Sequence, residues 1–390
     1  MNRTKKIVLG VSIDAVGAAS MPAVFALAGL EVTVIGPRGL AITASRHVRE
    51  HIATGGSPAS VREAMEAHVA ENPEGYARVV VVDEPLLREF VECPASPRLA
   101  ALSSFLSDAS RLRRMLSKID FMQDAVHHGV PVPAFQVVSS PEELKDRNPF
   151  DQPFVVKSEF SMSGSGVHII RNDSDLERAL PKLAGPLLIQ EYLAGPVGST
   201  AVLFRNGRPA CWFSYYLRRN WPHVVAASSA IEICSLPEIE NILRKVGSTR
   251  QLHGLCGIDW IVDANTGKPL VLELNPRPVP GLLAAGRAGV SFPEAIADLL
   301  EDGTAVQSPA SVSPPLYRLF PQHLLWAIDE RRPWEFVRTF ANAPWRDPKL
   351  LVCTLRRVVT HYWPAWLRDG LKRLTRGHTN TLAAAPAAGK

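Results

Sequence analysis

A run of eight residues, VLELNPRP at Val271–Pro278, places polar side chains at the end of an apolar segment. Because alternate side chains of a strand share one face, Glu273 and Asn275 are expected to point the same way. Burying a carboxylate is costly unless a positive group meets it, and either Arg277 or a metal ion would be such a group. The alternative is a strand that reaches the surface and stops at Pro276.

A second strand-like segment, GIDWIVD, precedes this run and is joined to it by the turn-forming residues ANTGK. Antiparallel pairing across that loop places Asp259 about level with Leu272, within one residue, and therefore beside Glu273 and Asn275. Two carboxylates and an amide carbonyl are hard oxygen ligands that suit Mg²⁺, with Mn²⁺ as the alternative. The hairpin therefore predicts a metal site formed by Asp259, Glu273 and Asn275, of a kind that also takes nucleotide phosphates.

A segment rich in glycine and serine provides a candidate clamp for those phosphates. It follows FVVK, which ends at Lys157, and it precedes the strand-like run VHII. Small residues let backbone N–H groups approach phosphate oxygens, and the lysine adds a positive charge. The segment is not a GxxxxGK[ST] loop, and taken alone it is equally typical of a flexible hairpin turn. The residues concerned are Ser161, Ser163, Gly164, Ser165 and Gly166.

The order of these motifs resembles that of the ATP-grasp superfamily over most of residues 110–300. Lys118 precedes HHGVPVPAF, Lys157 precedes the glycine-rich loop, and LLIQEYLAG matches the hinge strand that holds adenine. The strand of Asp259 and the E-x-N-P-R strand follow as the Mg²⁺-binding pair. The resemblance implies ATP binding by Lys118, Lys157, Ser161, Ser163, Gly164, Ser165, Gly166, Gln190, Glu191, Tyr192 and Leu193.

One departure from the family pattern concerns the ribose of the nucleotide. Family members often carry an acidic residue shortly after the hinge, whereas this chain has AGPVGST at that place. Ribose recognition would then fall to Glu191 or to a residue that the pattern does not identify.

The chain is most similar to the carboxylate–amine ligase branch, which implies an ATP-dependent reaction that forms an amide through an acyl phosphate and releases ADP and phosphate. Arg277, Lys157 and Arg218 are the candidate catalytic cations, because positive side chains neutralise charge on phosphoryl oxygens. For Arg218, as for Arg219, an exposed basic strand end is the alternative. Two other functions stay open: an ATP-grasp carboxylase or phosphotransferase, and a non-catalytic nucleotide-binding scaffold that acts through its basic tail. These motifs do not identify the carboxylate or the amine.

Apolar runs alternate with helical segments ahead of these motifs, which predicts an α/β chain with a parallel sheet. Residues 1–108 are expected to be Rossmann-like, although they lack the GxGxxG fingerprint of dinucleotide binding. Their layout resembles that of the D-aspartate ligase branch. An ATP-grasp fold is predicted for residues 109–305, a mainly helical C-terminal extension for 306–378, and a disordered tail for 379–390.

The C-terminal extension differs from the rest of the chain in charge and in aromatic content. Residues 311–376 contain twelve Lys or Arg and five Asp or Glu, whereas the whole chain has a formal charge of +5. Five of the eight tryptophans also lie in this segment. We favour helices packed against the body of the protein, with peripheral membrane contact as the alternative. Because the remainder of the chain is not basic, no nucleic-acid partner is expected.

The composition is that of an ordinary globular protein, 46% hydrophobic and 21% charged over 390 residues. Its five cysteines form no CxxC pair, which favours reduced thiols in the cytoplasm and argues against a zinc site. Asp14 interrupts the apolar run near the N-terminus, so no signal peptide is expected. The sequence has no run of 18 uninterrupted apolar residues, so no membrane span is expected either. The expected partners are small-molecule carboxylate and amine substrates and, from the family resemblance, a second copy in a homodimer.

Overall fold

The computed structural model describes residues 5–15, 17–144, 148–162, 164–222, 226–309 and 316–362. Three sheets organise this part of the chain: a four-stranded parallel sheet, a four-stranded antiparallel sheet and a six-stranded antiparallel sheet. Helices flank the sheets and continue after the last of them. The predicted α/β class is therefore confirmed.

The N-terminal sheet is parallel, as the alternation of strands and helices predicts. Its strands are β1 (Lys6–Gly10), β2 (Glu31–Pro37), β3 (Val48–Thr54) and β4 (Arg78–Val81), and its helices are α1 (Met21–Leu27), α2 (Pro58–Glu71), α3 (Glu84–Glu92) and α4 (Pro97–Leu102). The strand order is β3-β2-β1-β4. The apolar runs of β1, β2 and β4 were identified from the sequence, whereas β3 was not. As an edge strand with largely accessible side chains, β3 carries the polar sequence VREHIAT.

The small antiparallel sheet follows two consecutive helices. Its strands are β5 (Phe135–Val138), β6 (Phe154–Ser158), β7 (Val167–Ile170) and β8 (Leu187–Glu191), and the helices of this region are α5 (Ala109–Leu116), α6 (Lys118–His127) and α7 (Asp173–Ala179). The strand order is β5-β8-β6-β7. Ser117 separates α5 from α6, because its hydroxyl accepts a hydrogen bond from the N–H of Asp120 and so caps the second helix. This break places Lys118 in the first turn of α6.

The large antiparallel sheet carries the predicted hairpin at its edge. Its strands are β9 (Val197–Arg205), β10 (Arg208–Asn220), β11 (Ser228–Cys234), β12 (Gly254–Val262), β13 (Pro269–Asn275) and β14 (Tyr317–Arg318), with helices α8 (Ile239–Arg250) and α9 (Phe292–Leu300). The order is β13-β12-β9-β10-β11-β14. The fully buried ring of Trp260 covers Gly198, where an added Cβ would lie 2.1 Å from a ring carbon. This close packing fixes β12 against β9, next to Asp259.

The C-terminal extension packs against the N-terminal sheet region through hydrogen bonds and an ion pair. It contains α10 (Gln322–Asp329), α11 (Pro333–Thr339) and α12 (Pro348–Tyr362). The buried carboxylate of Asp347 accepts hydrogen bonds from Ser45 Oγ (2.6 Å) and from the N–H of Arg46 (3.0 Å). In α12, the guanidinium of Arg357 pairs with the carboxylate of Asp14. The described part of the extension is therefore joined to the body by specific contacts.

Two large aromatic side chains of the extension stay open to solvent. Trp334 is 76% exposed and Trp345 is 61% exposed. Across the described ranges, no helix combines the length and the apolar character that a membrane span requires.

Replacing Glu335 by glutamine is expected to destabilise the fold, because this carboxylate joins the extension to the large sheet. Glu335 accepts hydrogen bonds from Arg318 Nε (2.7 Å) and Arg318 Nη2 (3.2 Å), and from the buried ring of His323 (3.1 Å). Arg318 is the main reason that the pKa of Glu335 is lowered to about 2. Loss of the charged acceptor should lower the free energy of unfolding by about 1.5–3 kcal/mol.

Urea denaturation of Glu335→Gln and of the exposed control Glu330→Gln measures this effect. The control should unfold at the wild-type midpoint. Equal midpoints for Glu335→Gln and wild type would show that the cluster does not hold the extension in place.

Candidate functional site

A cavity of about 560 Å³ lies between the small sheet, the large sheet and the loop that follows β1. Its size is within the usual range for small-ligand sites. Its walls bring together side chains from more than 150 positions apart in the sequence, from Lys118 to Arg277. The predicted residues that line it are Lys118, Lys157, Ser161, Gly164, Gln190, Glu191, Tyr192, Leu193, Asp259, Glu273, Asn275 and Arg277.

The hairpin of β12 and β13 places the predicted metal-binding residues together. Asp259 pairs with Glu273, and Gly257 pairs with Asn275, so the sequence-based register was correct to within one residue. Asn275 Nδ2 donates to Asp259 Oδ2 (3.2 Å), and Arg277 Nη2 donates to Asn275 Oδ1 (3.2 Å). The described residues hold no group of three or more His, Cys, Asp or Glu arranged for a metal. The candidate set has two carboxylates and one amide, which fits a hard divalent cation that keeps waters or phosphates as further ligands.

The two carboxylates of this set differ in their affinity for protons. Burial and then the neighbouring Glu273 carboxylate raise the pKa of Asp259. Burial opposes ionisation of Glu273 too, but the ammonium groups of Lys118 and Lys157 lower its pKa below the usual range. Lys118 Nζ lies 3.4 Å from Glu273 Oε2 and donates to the carbonyl oxygen of Ser161 (2.7 Å). A divalent cation would offset the burial and the repulsion that raise the pKa of Asp259, so this charge pattern suits a metal ion.

The lysine at the end of β6 and the loop after it form the candidate phosphate clamp. Lys157 is only 6% exposed, and burial, opposed by Glu273, lowers its pKa to about 8. Gly164 lines the cavity with φ of 77°, a conformation that favours glycine. Within the described ranges, the buried Ser161 Oγ and Gln190 Nε2 have no hydrogen-bond partner. These unused polar atoms face a cavity that suits an oxygen-rich ligand.

Two of the other three predicted loop positions are described by the structure, and neither lines the cavity. Ser163 lies outside the described residues. Ser165 and Gly166 do not line the cavity but shape the turn: the N–H of Ser165 donates to Met162 O (3.0 Å), and Gly166 O accepts from the N–H of Ser158 (2.9 Å). A Cβ on Gly166 would approach the Ser161 side chain to 2.5 Å, so glycine at this position lets the loop close on itself. Their contribution is to backbone geometry.

The predicted hinge lies at the end of β8. Gln190 is 2% exposed, whereas Tyr192 is 38% exposed, so the cavity opens along this segment. Glu191 Oε1 accepts a hydrogen bond from the N–H of Ala134 (2.7 Å), which ties the hinge to the segment before β5. This contact occupies one oxygen of the carboxylate that the sequence offers for the ribose.

Arg218 is the one predicted catalytic residue that the structure does not place at the cavity. Its Nε donates to Glu232 Oε2 (2.8 Å), and its guanidinium lies 4.7 Å from the centre of the Tyr216 ring. Tyr215 and Leu217 line the cavity instead, because alternate residues of β10 face opposite sides of the sheet. These contacts agree with the alternative prediction for Arg218, that of an exposed basic strand end.

Several lining residues could not be identified from the sequence. Ser199 lies opposite Asp259 in the β9–β12 register, and Tyr215 follows from the neighbouring strand. The loop Ile13–Ala15 reaches the cavity from the N-terminal sheet. Glu84, at the start of α3, lies close enough to Lys118 and Arg277 for their charges to act on it, while burial raises its pKa. Only strand alternation on β9 and β10 could have indicated any of these, once the sheet order was known.

We expect the affinity for Mg-ADP to fall as the pH rises from about 7 to about 9. The free protein loses the Lys157 proton near pH 8, and the neutral amine no longer attracts phosphate oxygens. Since a bound phosphate favours the protonated form, the dissociation constant should rise about tenfold per pH unit once the pH exceeds that pKa. Isothermal titration calorimetry at several pH values measures this.

Lys157→Met should bind Mg-ADP more weakly at pH 7 and should lack the pH-dependent rise. Lys268→Met, which removes an exposed lysine from the β12–β13 loop, should keep the wild-type profile. An unchanged pH profile in Lys157→Met would mean that another group titrates in the site.

Comparison with known families agrees with this geometry. The family model described as ATP-grasp domain matches residues 116–280. The matched range contains Lys118, Lys157 and the whole β12–β13 hairpin. It also contains Arg277, which follows the hairpin. All the predicted metal and nucleotide residues thus fall inside it.

Sequence relatives and structural neighbours support the same fold. The chain is 27% identical over 201 residues to a D-alanine–D-alanine ligase from Maridesulfovibrio salexigens, a match that covers 45% of this chain and 64% of that protein. It therefore spans less than two thirds of that relative. An L-amino acid ligase from Bacillus licheniformis superposes with a TM-score of 0.56 at 15% identity, over 77% of this chain and 75% of the other. An N5-carboxyaminoimidazole synthetase from Staphylococcus aureus, solved with ADP, gives 0.58 at 15% identity and 80% coverage of both chains.

Proposed function

Residues 116–280 form an ATP-grasp domain, and from this premise we propose that the chain is an ATP-dependent carboxylate–amine ligase. One observation carries the proposal: two buried lysines and the Asp259–Glu273–Asn275 set meet in a single cavity of about 560 Å³. Cations next to hard oxygen ligands are what a metal-bound nucleotide requires.

The residues of the cavity have distinct proposed roles. Lys118 and Lys157 bind phosphate oxygens, and the loop at Ser161–Gly166 covers them. Asp259, Glu273 and Asn275 hold Mg²⁺, or Mn²⁺ in its place, which neutralises phosphate charge when bound. Gln190–Leu193 hold the adenine. Arg277 lies at the end of the metal-binding strand, where it stabilises negative charge on the transferred phosphoryl group.

The proposed reaction has two steps. A carboxylate oxygen of the first substrate attacks the γ-phosphorus of ATP, the bond to the β,γ-bridging oxygen breaks, and ADP leaves. The amine nitrogen of the second substrate then attacks the carbonyl carbon of the acyl phosphate. Phosphate leaves, the nitrogen loses a proton, and an amide remains. Exclusion of water by the closed loop protects the acyl phosphate from hydrolysis.

The proposal extends to the organisation and setting of the chain. Residues 1–108 act as the Rossmann-like domain, 109–305 as the nucleotide-binding and catalytic domain, and 306–378 as a packed helical extension. The enzyme works in the cytoplasm on small molecules, as a homodimer, with no nucleic-acid partner. The exposed Trp334 and Trp345 give the extension a surface for peripheral membrane contact.

Phosphate release with Mg-ATP, measured against a pooled set of amino acids and small carboxylic acids, tests this function. A ligase should release phosphate only with a particular acid–amine pair and should form the corresponding amide, detectable by mass spectrometry. Glu273→Gln should abolish both signals, because it removes one charge from the metal set.

Other outcomes would favour the alternatives. Release that depends on bicarbonate would indicate a carboxylase, and phosphate found on the acceptor would indicate a phosphotransferase. Nucleotide binding without turnover in both wild type and Glu273→Gln would contradict catalysis and point to a scaffold that acts through its C-terminal extension.

A further inference from the structure

A second cavity, of about 770 Å³, lies where β4, the large sheet and α9 meet. Its wall includes Ile7 and Arg78, which lie at the beginnings of β1 and β4. The nucleotide cavity instead contacts Ile13–Ala15, beyond the opposite end of β1. Among the described lining residues the two cavities share only Arg277, so they are separate cavities.

The segment after β13 forms a wall between the two cavities. Pro276 and Pro278 line the second cavity, whereas Val279 lines the nucleotide cavity, and Arg277 contacts both. The second cavity is therefore next to the candidate reaction centre. A ligand there would not compete for the space of a nucleotide.

The charged groups of the second cavity all have one sign. Arg78, Arg111 and Arg277 line it together with His253, and none of the described lining residues is Asp or Glu. Arg111 Nη2 donates to the carbonyl oxygen of Ser104 (2.5 Å) and to a serine hydroxyl (2.7 Å), while its buried Nε has no partner among the described residues. No lining carboxylate pairs with Arg78 or Arg111, and their guanidinium groups favour an anion because forked donors match carboxylate and phosphate oxygens.

Positive charge also acts on the neighbouring imidazole of His253. Burial and then the charges of Arg78 and Arg205 lower the pKa of His253. Its Nδ1 lies 2.8 Å from Asn206 Oδ1 and 3.3 Å from the N–H of Asn206. The ring and the amide thus add polar groups beside the arginines without adding a negative charge.

The rest of the wall is apolar. Phe25 and Leu30 come from the N-terminal domain, Leu203 and Leu255 from the large sheet, and Ile296 from α9. A ligand that fills this space would bury hydrocarbon surface in addition to its charged group. The chemistry of the wall is therefore amphipathic, with a cationic part and an apolar part.

We propose that this second cavity is a binding site for an amphipathic organic anion, with a carboxylate or phosphate head at Arg78 and Arg111 and an apolar body against Phe25, Leu203 and Leu255. The site is distinct from the nucleotide cavity and does not depend on the ligase proposal. Its volume accommodates a ligand of the size of a medium-chain acid or a larger metabolite.

Calorimetric titration of octanoate, octyl phosphate and octylammonium into the full chain saturated with Mg-ADP tests the proposal. At least one anion should bind, at least about tenfold more tightly than octylammonium, and the two anions together identify the preferred head group. Arg78→Met and Arg111→Met should each weaken anion binding about tenfold or more. Arg38→Met, at an exposed position, should bind like the wild type.

Arg78→Lys is the control for a folding defect in Arg78→Met. It keeps the positive charge and should recover part of the affinity for the anions. The affinity for Mg-ADP should be unchanged in all these variants, which would show that the nucleotide cavity is intact. Equal binding of octanoate, octyl phosphate and octylammonium, displacement of the anions by Mg-ADP, or full anion affinity in both Met variants would each overturn the proposal.

Discussion

Replacing Asp259 by asparagine is expected to reduce Mg-ATP turnover at least about 100-fold, the loss typical of removing one group that stabilises charge in a transition state. Asp259 pairs with Glu273 across β12 and β13, and these two residues supply the two carboxylates of the proposed metal-binding set. An amide at this position leaves a single negative charge to hold a divalent cation. The dependence on Mg²⁺ concentration should therefore shift to higher values in the phosphate-release assay.

The same variant should not be less stable than the wild type when metal is absent. The folded-state pKa of Asp259 is raised above its ordinary value, so ionised Asp259 opposes folding at a pH above that folded-state pKa. Asparagine removes this cost. The thermal midpoint of the metal-free variant at pH 8 should thus equal or exceed that of the wild type, while turnover is lost.

A matched control comes from the loop of the same hairpin. Asp263 Oδ1 accepts a hydrogen bond from the N–H of Asn265 (3.0 Å) and Asp263 Oδ2 accepts one from Thr266 Oγ1 (2.7 Å), so asparagine keeps one acceptor oxygen in this turn, which does not line the cavity. Asp263→Asn should keep wild-type turnover. Full activity in Asp259→Asn, or a loss shared equally by Asp263→Asn, would exclude a specific metal-binding role for Asp259.

The grouping of Asp259, Glu273 and Asn275, the proposed metal-binding set, could be predicted from the sequence because its geometry is local. Six residues, 263–268, join the two strands, and so short a loop leaves little freedom in the pairing of Asp259 with Glu273. Strand alternation then places Asn275 on the same face. The lysines and the glycine-rich loop were recognisable from their order along the chain rather than from any spacing that fixes distances.

The parts that escaped prediction depend on contacts between distant segments. The loop Ile13–Ala15 reaches the nucleotide cavity only because the N-terminal sheet packs beside the hairpin. The sequence also could not predict which side of β10 faces the cavity, because the strand that carries Arg218 has register shifts after Leu217. The second cavity arises in the same way, because Arg78, Arg111 and Arg277 line it from three separate segments of the chain.

Replacing Arg277 by methionine should lower turnover about 100-fold while leaving most of the affinity for Mg-ADP. Arg277 follows the metal-binding strand, its Nη2 lies 3.2 Å from Asn275 Oδ1, and it lines the nucleotide cavity. In the proposed site Lys118 and Lys157 supply charge to a bound nucleotide, which leaves Arg277 to act on the transferred phosphoryl group. Single-turnover phosphate release and the dissociation constant for Mg-ADP separate these two effects.

Arg277→Lys sharpens the test, because it keeps the positive charge but not the planar fork of donors. Its turnover should lie between those of Arg277→Met and the wild type. Arg208→Met, which removes an exposed arginine at the start of β10, should behave like the wild type. If Arg277→Met lost turnover and Mg-ADP affinity by the same factor, Arg277 would be a residue that binds the nucleotide and not one that stabilises the transferred group.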